Sequence, residues 1–118
     1  FNYTNHTLLP EALEKWSVPL MEGLLPRHMQ IIYLINALHL DRQRAEGHTE
    51  DRFLSSISLI EENHSRKVRM GHLAFLGSRR VNGVSALHTS LMRQTVFRDL
   101  AALHHREDVL ENELVIER

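Results

Sequence analysis

Histidine and acidic side chains are the residues of this sequence that could do chemistry. Its 118 residues include nine His and 15 Asp or Glu, but no Cys. A zinc site usually needs cysteine ligands or a His-Glu-x-x-His helix, and the sequence has neither. His104 and His105, followed by Glu107 and Asp108, come nearest to a ligand cluster. Because adjacent residues on a helix point about 100° apart, they rarely bind one ion, and we predict no metal site.

Other histidines are predicted to have structural or surface roles. His72 and His88 lie among apolar residues. A partly buried imidazole that is hydrogen-bonded to the backbone is the expected role there. His28, His39 and His48 are predicted to be solvated.

Adjacent acids and a glycine-rich segment are the remaining candidate motifs. Glu61-Glu62 is a pair of neighbouring acids, whereas acid–base catalysis needs two carboxyls that converge on one bond. Residues 77–83 contain two glycines, a serine and two arginines, as an anion-binding turn would. They lack the Lys-Ser/Thr of a phosphate loop. Surface acids and a tight connection between helices are the alternative interpretations.

Composition narrows the class of protein. Hydrophobic residues make up 42% of the chain, charged residues 25%, and the net charge is −1, which is typical of one globular domain. We therefore predict no nucleic-acid partner, despite a local run of basic residues. The apolar runs are far shorter than the roughly 20 residues of a membrane helix, so no membrane partner is predicted. The absence of Cys fits a reducing compartment such as the cytoplasm.

Helical periodicity predicts a mainly α unit of about five to seven helices over residues 1–118. Pro10 is expected to start a short helix that runs to about Trp16. Ser17 is a plausible N-cap for the next helix, and Pro26 should kink or restart it. Residues 27 to about 45 form the longest periodic segment, which Gly47 ends. Its wide apolar face comprises Met29, Ile31, Ile32, Leu34, Ile35 and Leu38.

Further helical segments are predicted after Gly47. One helix opens at Thr49-Glu50-Asp51 and buries Phe53, Leu54 and Ile57. Residues 65–76 are expected to be helical or mixed, and Asn82-Gly83 is a strong turn signal. A helix is then predicted from Val84 to about residue 103, and another in the tail, residues 107–118.

Several motifs, in one order along residues 2–100, resemble the α-glucan (glycogen, starch or maltodextrin) phosphorylases. The longest is the run at residues 3–16, Tyr-Thr-Asn-His-Thr-Leu-Leu-Pro-Glu-Ala-Leu-Glu-Lys-Trp. Further motifs are Leu-Leu-Pro-Arg-His at 24–28, Ser-Leu-Ile-Glu-Glu at 58–62, Val-Asn-Gly-Val at 81–84 and Thr-Val-Phe-Arg-Asp at 95–99. The chain also lacks an initiator Met and a signal peptide, which favours an internal fragment of such a protein.

The resemblance implies an activity and a set of site residues. Phosphorylases are expected to cleave α-1,4 bonds of a glucan with phosphate, releasing glucose 1-phosphate, and to use pyridoxal phosphate held on a lysine. Their fold is a larger α/β glycosyltransferase, from which this helical piece would be excised. The resemblance places His6 at the C6 hydroxyl of the bound glucose, with Thr7 and Ala12 beside it and Val84 lining the same pocket. No catalytic residue is predicted within this chain.

Departures from the family pattern limit that expectation. Arg79 stands where the family usually has His, and Gly71 where it usually has Ala or Asn. Residues 104–118 do not follow the family continuation. The segments that would carry the cofactor lysine and the phosphate-binding basic residues are missing, so the isolated chain is predicted to be inactive and to bind no cofactor.

Two other functions stay open at this stage. The chain could be a non-catalytic helical module of phosphorylase ancestry that forms homo-oligomers through exposed apolar helix faces. A metal-dependent hydrolase is the other alternative, and it rests only on the number of histidines.

Overall fold

A computed structural model describes residues 2–3, 13–63, 65–78, 80–83, 85–95, 97–104, 109–110 and 116–117. The helices of this part of the chain are α1 Val18–Leu24, α2 Pro26–Ala45, α3 Asp51–Ile57, α4 Met70–Gly77, α5 Ala86–Gln94 and α6 Arg98–His104. The strands are β1 Asn2–Tyr3, β2 Lys15–Ser17, β3 Ile60–Glu62, β4 Arg66–Arg69, β5 Arg80–Asn82, β6 Val109–Leu110 and β7 Ile116–Glu117. The prediction of a mainly α fold is confirmed, with six helices among these residues.

The chain divides into two compact units. The first comprises Glu14–Met70, and the second comprises Phe1–Leu13 together with Gly71–Arg118. A single partial domain over residues 1–118 stays a prediction. Within the described ranges, no helix has the length and apolar character needed to cross a bilayer.

Local signals fix where the first two helices of the Glu14–Met70 unit begin and end. Ser17 is the N-cap of α1, and its Oγ accepts a hydrogen bond from the Leu20 N–H at 3.5 Å. Pro26 starts α2 after a single intervening residue, Leu25, so the predicted restart is confirmed. Gly47 follows the end of α2 with φ of 99°, a left-handed conformation that glycine adopts without steric cost.

The predicted helix through Trp16 is wrong at its described end, because Lys15–Ser17 form strand β2. This strand is one of the two edge strands of a three-stranded sheet with the order β2-β4-β3. Trp16 and Ile60 both pair with Val68 of β4 in antiparallel register. Residues 15–17 pair with residues 67–69 of β4, and this long-range pairing outweighs their local helical pattern.

Helix α2 does not bury the whole of its predicted apolar face. Met29 and Ile32 are buried, together with His39 and Gln43, and these four lie along one side of the helix. The other apolar residues are exposed, namely Ile31, Leu34, Ile35 and Leu38. The prediction that His39 is solvated is therefore wrong, because only 7% of this residue is exposed. His28 and His48 are exposed, as predicted.

The core of this unit lies where the helices pack on the sheet. Its most deeply buried side chains are Val18, Met29, Ile57, Leu59 and Val68. Asn36 of α2 forms hydrogen bonds with the two residues that follow α3. Its Oδ1 accepts from the Leu59 N–H at 2.9 Å, and its Nδ2 donates to Ser58 Oγ at 3.2 Å.

The second unit contains the remaining helices and a four-stranded sheet with the order β1-β7-β5-β6. Phe75 of α4 stacks on Phe97 with ring centroids 5.1 Å apart, and Val81 of β5 is fully buried. The predicted single helix from Val84 to residue 103 is instead two helices, because α5 ends at Gln94 and α6 begins at Arg98.

The predicted tail helix is also wrong where the tail is described. Residues 109–110 and 116–117 form strands, and Val109 and Ile116 both pair with Val81 of β5. These contacts are remote in sequence, so the periodicity of the tail alone does not indicate them.

Candidate functional site

The connection between β5 and α5 carries the Val-Asn-Gly-Val motif that the sequence singles out. Gly83 follows the strand and is buried, and Ser85 precedes the helix as its N-cap. A Cβ atom on Gly83 would lie 2.7 Å from the Thr89 backbone N and 2.8 Å from its Cα. Since both distances are shorter than real Cβ contacts, only glycine lets the strand approach the first turn of α5 this closely.

Ser85 caps the first turn of α5. Ser85 Oγ accepts from the His88 N–H at 3.2 Å, and the Ser85 carbonyl accepts from the Thr89 N–H at 2.9 Å. The start of a helix carries a partial positive charge and backbone N–H groups without intrahelical partners. At α5, Ser85 already satisfies the N–H groups of His88 and Thr89.

Thr89 is a residue of this connection that sequence reasoning missed. It is 3% exposed, and its buried Oγ1 has no hydrogen-bond partner among the described residues. His88, next to it, is half-buried, which agrees with the partly buried role predicted for it. Thr89 stands between two other polar residues, His88 and Ser90, so the sequence gives little signal of its burial against Gly83.

The residues predicted to contact glucose all lie outside the described residues. They are His6, Thr7, Ala12 and Val84. Arg79 also lies outside the described residues. The structure describes the immediate neighbours of position 84, namely Gly83 and Ser85. The grouping of the four residues in one pocket stays a prediction.

An exposed polar cluster lies on the Glu14–Met70 unit. The Tyr33 hydroxyl donates to Glu22 Oε1 at 2.9 Å and accepts from Arg66 Nη1 at 3.0 Å. Arg66 also lies over the Tyr33 ring, 5.4 Å from its centroid, and pairs with Glu62 at 3.2 Å. Burial, followed by the hydrogen bond to Glu22, raises the pKa of Tyr33, so its hydroxyl stays protonated at neutral pH. The cluster can bind polar groups but contains no nucleophile.

The adjacent acids on β3 do not form an acid–base pair. Glu61 pairs with Lys15 at 2.8 Å, whereas Glu62 pairs with Arg66. The hydrogen bond from Lys15 lowers the pKa of Glu61 despite its partial burial, so this carboxyl stays ionised. Consecutive strand residues point to opposite faces of a sheet, which separates the two carboxyls. Within the part of the chain that the structure describes, no group of three potential ligands could hold a metal ion.

The lysines of this chain do not fit a pyridoxal phosphate site. The sequence contains only two, Lys15 and Lys67. Lys15 is engaged by Glu61 at 2.8 Å on an edge strand, and Lys67 is exposed on β4. A lysine that forms a Schiff base is usually desolvated in an apolar pocket, whereas Lys15 is ion-paired and Lys67 is exposed. We therefore assign no step of chemistry to this cofactor within the chain.

The family model and the individual relatives that match this chain point to the same family. A sequence model described as carbohydrate phosphorylase matches residues 1–112. Glycogen phosphorylase from Synechocystis sp. is 48% identical over 103 residues, which cover 87% of this chain and 12% of that protein. The liver form of glycogen phosphorylase from Homo sapiens is 50% identical over 103 residues, with the same coverage. Glycogen phosphorylase from Pasteurella multocida is 48% identical over 104 residues, covering 88% of this chain and 13% of that protein. The chain thus spans about an eighth of the length of these relatives.

Proposed function

Because the chain belongs to the carbohydrate phosphorylase family, we propose that it carries part of the glucose pocket of an α-1,4-glucan phosphorylase. Such an enzyme depends on pyridoxal phosphate and converts glucan and phosphate into glucose 1-phosphate. The observation that supports the proposal is the tight connection at Gly83, which joins strand β5 to the capped helix α5. The parent protein's partner is an α-glucan, and its compartment is the cytoplasm.

The four proposed contact residues suit a neutral sugar. His6 takes the C6 hydroxyl of glucose, with Thr7 and Ala12 beside it, and Val84 lines the same pocket. An imidazole or a backbone carbonyl can accept a hydroxyl hydrogen bond without the cost of burying a charge. Val84 contributes an apolar surface for the sugar ring.

We further propose that this chain is catalytically inert by itself. Neither of its lysines fits the cofactor, and the chain matches only 12% of the length of its relatives. A cofactor supplies the difficult chemistry, while the protein binds and orients it. On this proposal, a chain that does not hold the cofactor lacks the group that activates phosphate.

An activity assay tests the proposed inertness. The chain is incubated with glycogen, phosphate and pyridoxal phosphate, and glucose 1-phosphate is measured by a coupled assay. We expect no product above the buffer blank, while a complete glycogen phosphorylase run in parallel gives product. Release of glucose 1-phosphate by the chain would contradict the proposal.

A sugar titration tests the pocket separately. Adding glucose or maltooligosaccharide to isotopically labelled chain should shift the NMR signals of residues near His6 and Val84, including Gly83 and Ser85. A His6→Ala variant should weaken these shifts, whereas His28→Ala, at an exposed position on α2, should leave them unchanged. Shifts confined to other regions, or equal shifts in both variants, would count against a glucose site here.

A second function, a helical self-association module of phosphorylase ancestry, is favoured by one observation. Four large aliphatic residues of α2 are exposed, including Leu34 at 60% and Leu38 at 61%. Monomeric proteins rarely expose a contiguous apolar patch of this kind without a function. Light scattering over a concentration series tests this alternative, and a monomer at every concentration would exclude it.

A further inference from the structure

The exposed side of α2 is apolar at its centre and charged at its two ends. We call this side the α2 stripe, and it comprises Arg27, Ile31, Leu34, Ile35, Leu38 and Asp41. At about 100° per residue, these positions fall on the side of the helix away from buried Met29, Ile32 and Gln43. The aliphatic members are between 37% and 61% exposed. Their spacing, at i, i+3, i+4 and i+7, is that of a helix-pairing seam.

The charges at the two ends of the α2 stripe are arranged symmetrically about Leu34. Arg27 lies seven residues before it and Asp41 seven residues after it. Two copies of α2 related by a two-fold axis that passes Leu34 perpendicular to the helix run antiparallel and present the same surface to each other. Arg27 of each copy then lies opposite Asp41 of the other, about 10 Å from the axis. A parallel arrangement would bring like charges together at both ends.

Both charged groups can take part in such contacts. Arg27 has an in-chain hydrogen bond of 3.5 Å to Gln30, at the long limit for this interaction. Asp41 accepts from Arg44 at 2.8 Å, yet 71% of its side chain is exposed. A carboxylate offers about four acceptor sites, so Asp41 can accept from a second guanidinium. The antiparallel arrangement also brings the cation at the start of α2 near the negative end of the second helix.

We infer that α2 pairs with α2 of a second copy of this chain, antiparallel about Leu34, with Arg27 and Asp41 joining the copies at both ends. This inference rests on the second candidate function, and it is independent of the glucose pocket. The apolar centre supplies the association energy. The two charged ends set the direction and register.

Sedimentation of the 118-residue chain over a concentration series tests the apolar centre. The chain should form a dimer, and Leu34→Glu should weaken the dimer at least about tenfold, because it places two carboxylates at the axis. Leu87→Glu is the matched control, since Leu87 of α5 is 69% exposed and lies outside the stripe. This control should leave the dimer unchanged. Circular dichroism confirms that both variants keep their helices.

A charge exchange tests the antiparallel direction. Arg27→Asp and Asp41→Arg should each weaken the dimer, because each places like charges opposite one another. The double variant, R27D with D41R, restores opposite charges across the axis and should recover most of the affinity. In a parallel dimer the double variant would have no such effect.

Three results would overturn the inference. A chain that stays monomeric removes both the inference and the second candidate function, and leaves the stripe to another occupant, such as a segment of a longer chain. A dimer that Leu34→Glu leaves intact places self-association on another surface, so only the inference fails. Failure of the charge exchange to restore affinity excludes the antiparallel register.

Discussion

His39 is a titratable side chain enclosed by its own unit. It lies on the buried side of α2 and interacts with the backbone of Ile57 in α3. Burial is the main cause that lowers its pKa, Arg42 adds to this, and the interaction with Ile57 opposes it. The folded chain therefore favours the neutral form of the His39 imidazole.

This burial predicts a loss of stability in mild acid. The unfolded chain takes up a proton at His39 near its ordinary pKa of about 6.5, before the folded chain does. Stability is therefore fully present above that pH and declines as the pH falls toward the lower pKa of the folded state. Urea unfolding measured between pH 8 and pH 5 should show this decline.

Two variants test whether His39, rather than another histidine, causes this loss of stability at low pH. His39→Leu should remove part of the pH dependence, because the buried position then no longer binds a proton. His28→Gln, at an exposed position of the same helix, should keep the full dependence. An unchanged pH profile in the His39 variant would refute the role of this residue.

Arg69 is a second residue whose role is local and structural. Its Nη1 donates to the carbonyls of Ser55 at 2.9 Å and Ser58 at 3.1 Å, where α3 ends and its last carbonyls lack helical partners. Arg69→Lys should lower the free energy of unfolding by about 1–3 kcal/mol, since one ammonium cannot reproduce this geometry. Chemical denaturation measures the loss. Arg52→Lys, exposed on α3, should change stability by less than about 0.5 kcal/mol, and equal effects of the two variants would contradict the prediction.

At the scale of elements, the approach of β5 to α5 depends on Gly83. Alanine there would meet the Thr89 backbone at 2.7 and 2.8 Å, so either the strand or the helix must move. Gly83→Ala should therefore destabilise the chain by about 1–3 kcal/mol, as measured by thermal or urea unfolding. Gly23→Ala is the contrasting change. It lies in α1, where nothing beyond the neighbouring backbone of its own helix comes within 4 Å of the new Cβ, and should stabilise by about 0.5–1 kcal/mol. A neutral Gly83→Ala would show that the connection is loose.

At the scale of the whole molecule, association through the α2 stripe links stability to concentration. A partner that binds only the folded chain raises the unfolding midpoint as its concentration increases. The melting temperature should therefore rise when the chain concentration is raised, and Leu34→Glu should make it independent of concentration. A concentration-independent midpoint in the unsubstituted chain would contradict a dimer in this range.

Features set by a few neighbouring residues could be predicted from the sequence. The Ser17 cap, the helix start at Pro26 and the helix end at Gly47 follow from hydrogen bonding and backbone sterics within one turn. The family also follows from the order and spacing of short motifs, and the comparison with known phosphorylases confirms it. The four predicted pocket residues lie outside the described residues, so that part of the site stays a prediction.

The sequence by itself determined the family, the mainly α character and the local helix boundaries, because these depend on short-range patterns. Only the tertiary structure decided which residues of α2 are buried. It placed His39 inside and left Leu34 and Leu38 exposed, although periodicity alone treats the apolar residues alike. It also made Lys15–Ser17 and the described tail residues strands, since a strand is stabilised by partners that lie far away in sequence. Burial and strand pairing are properties of the assembled fold, and no short segment specifies them.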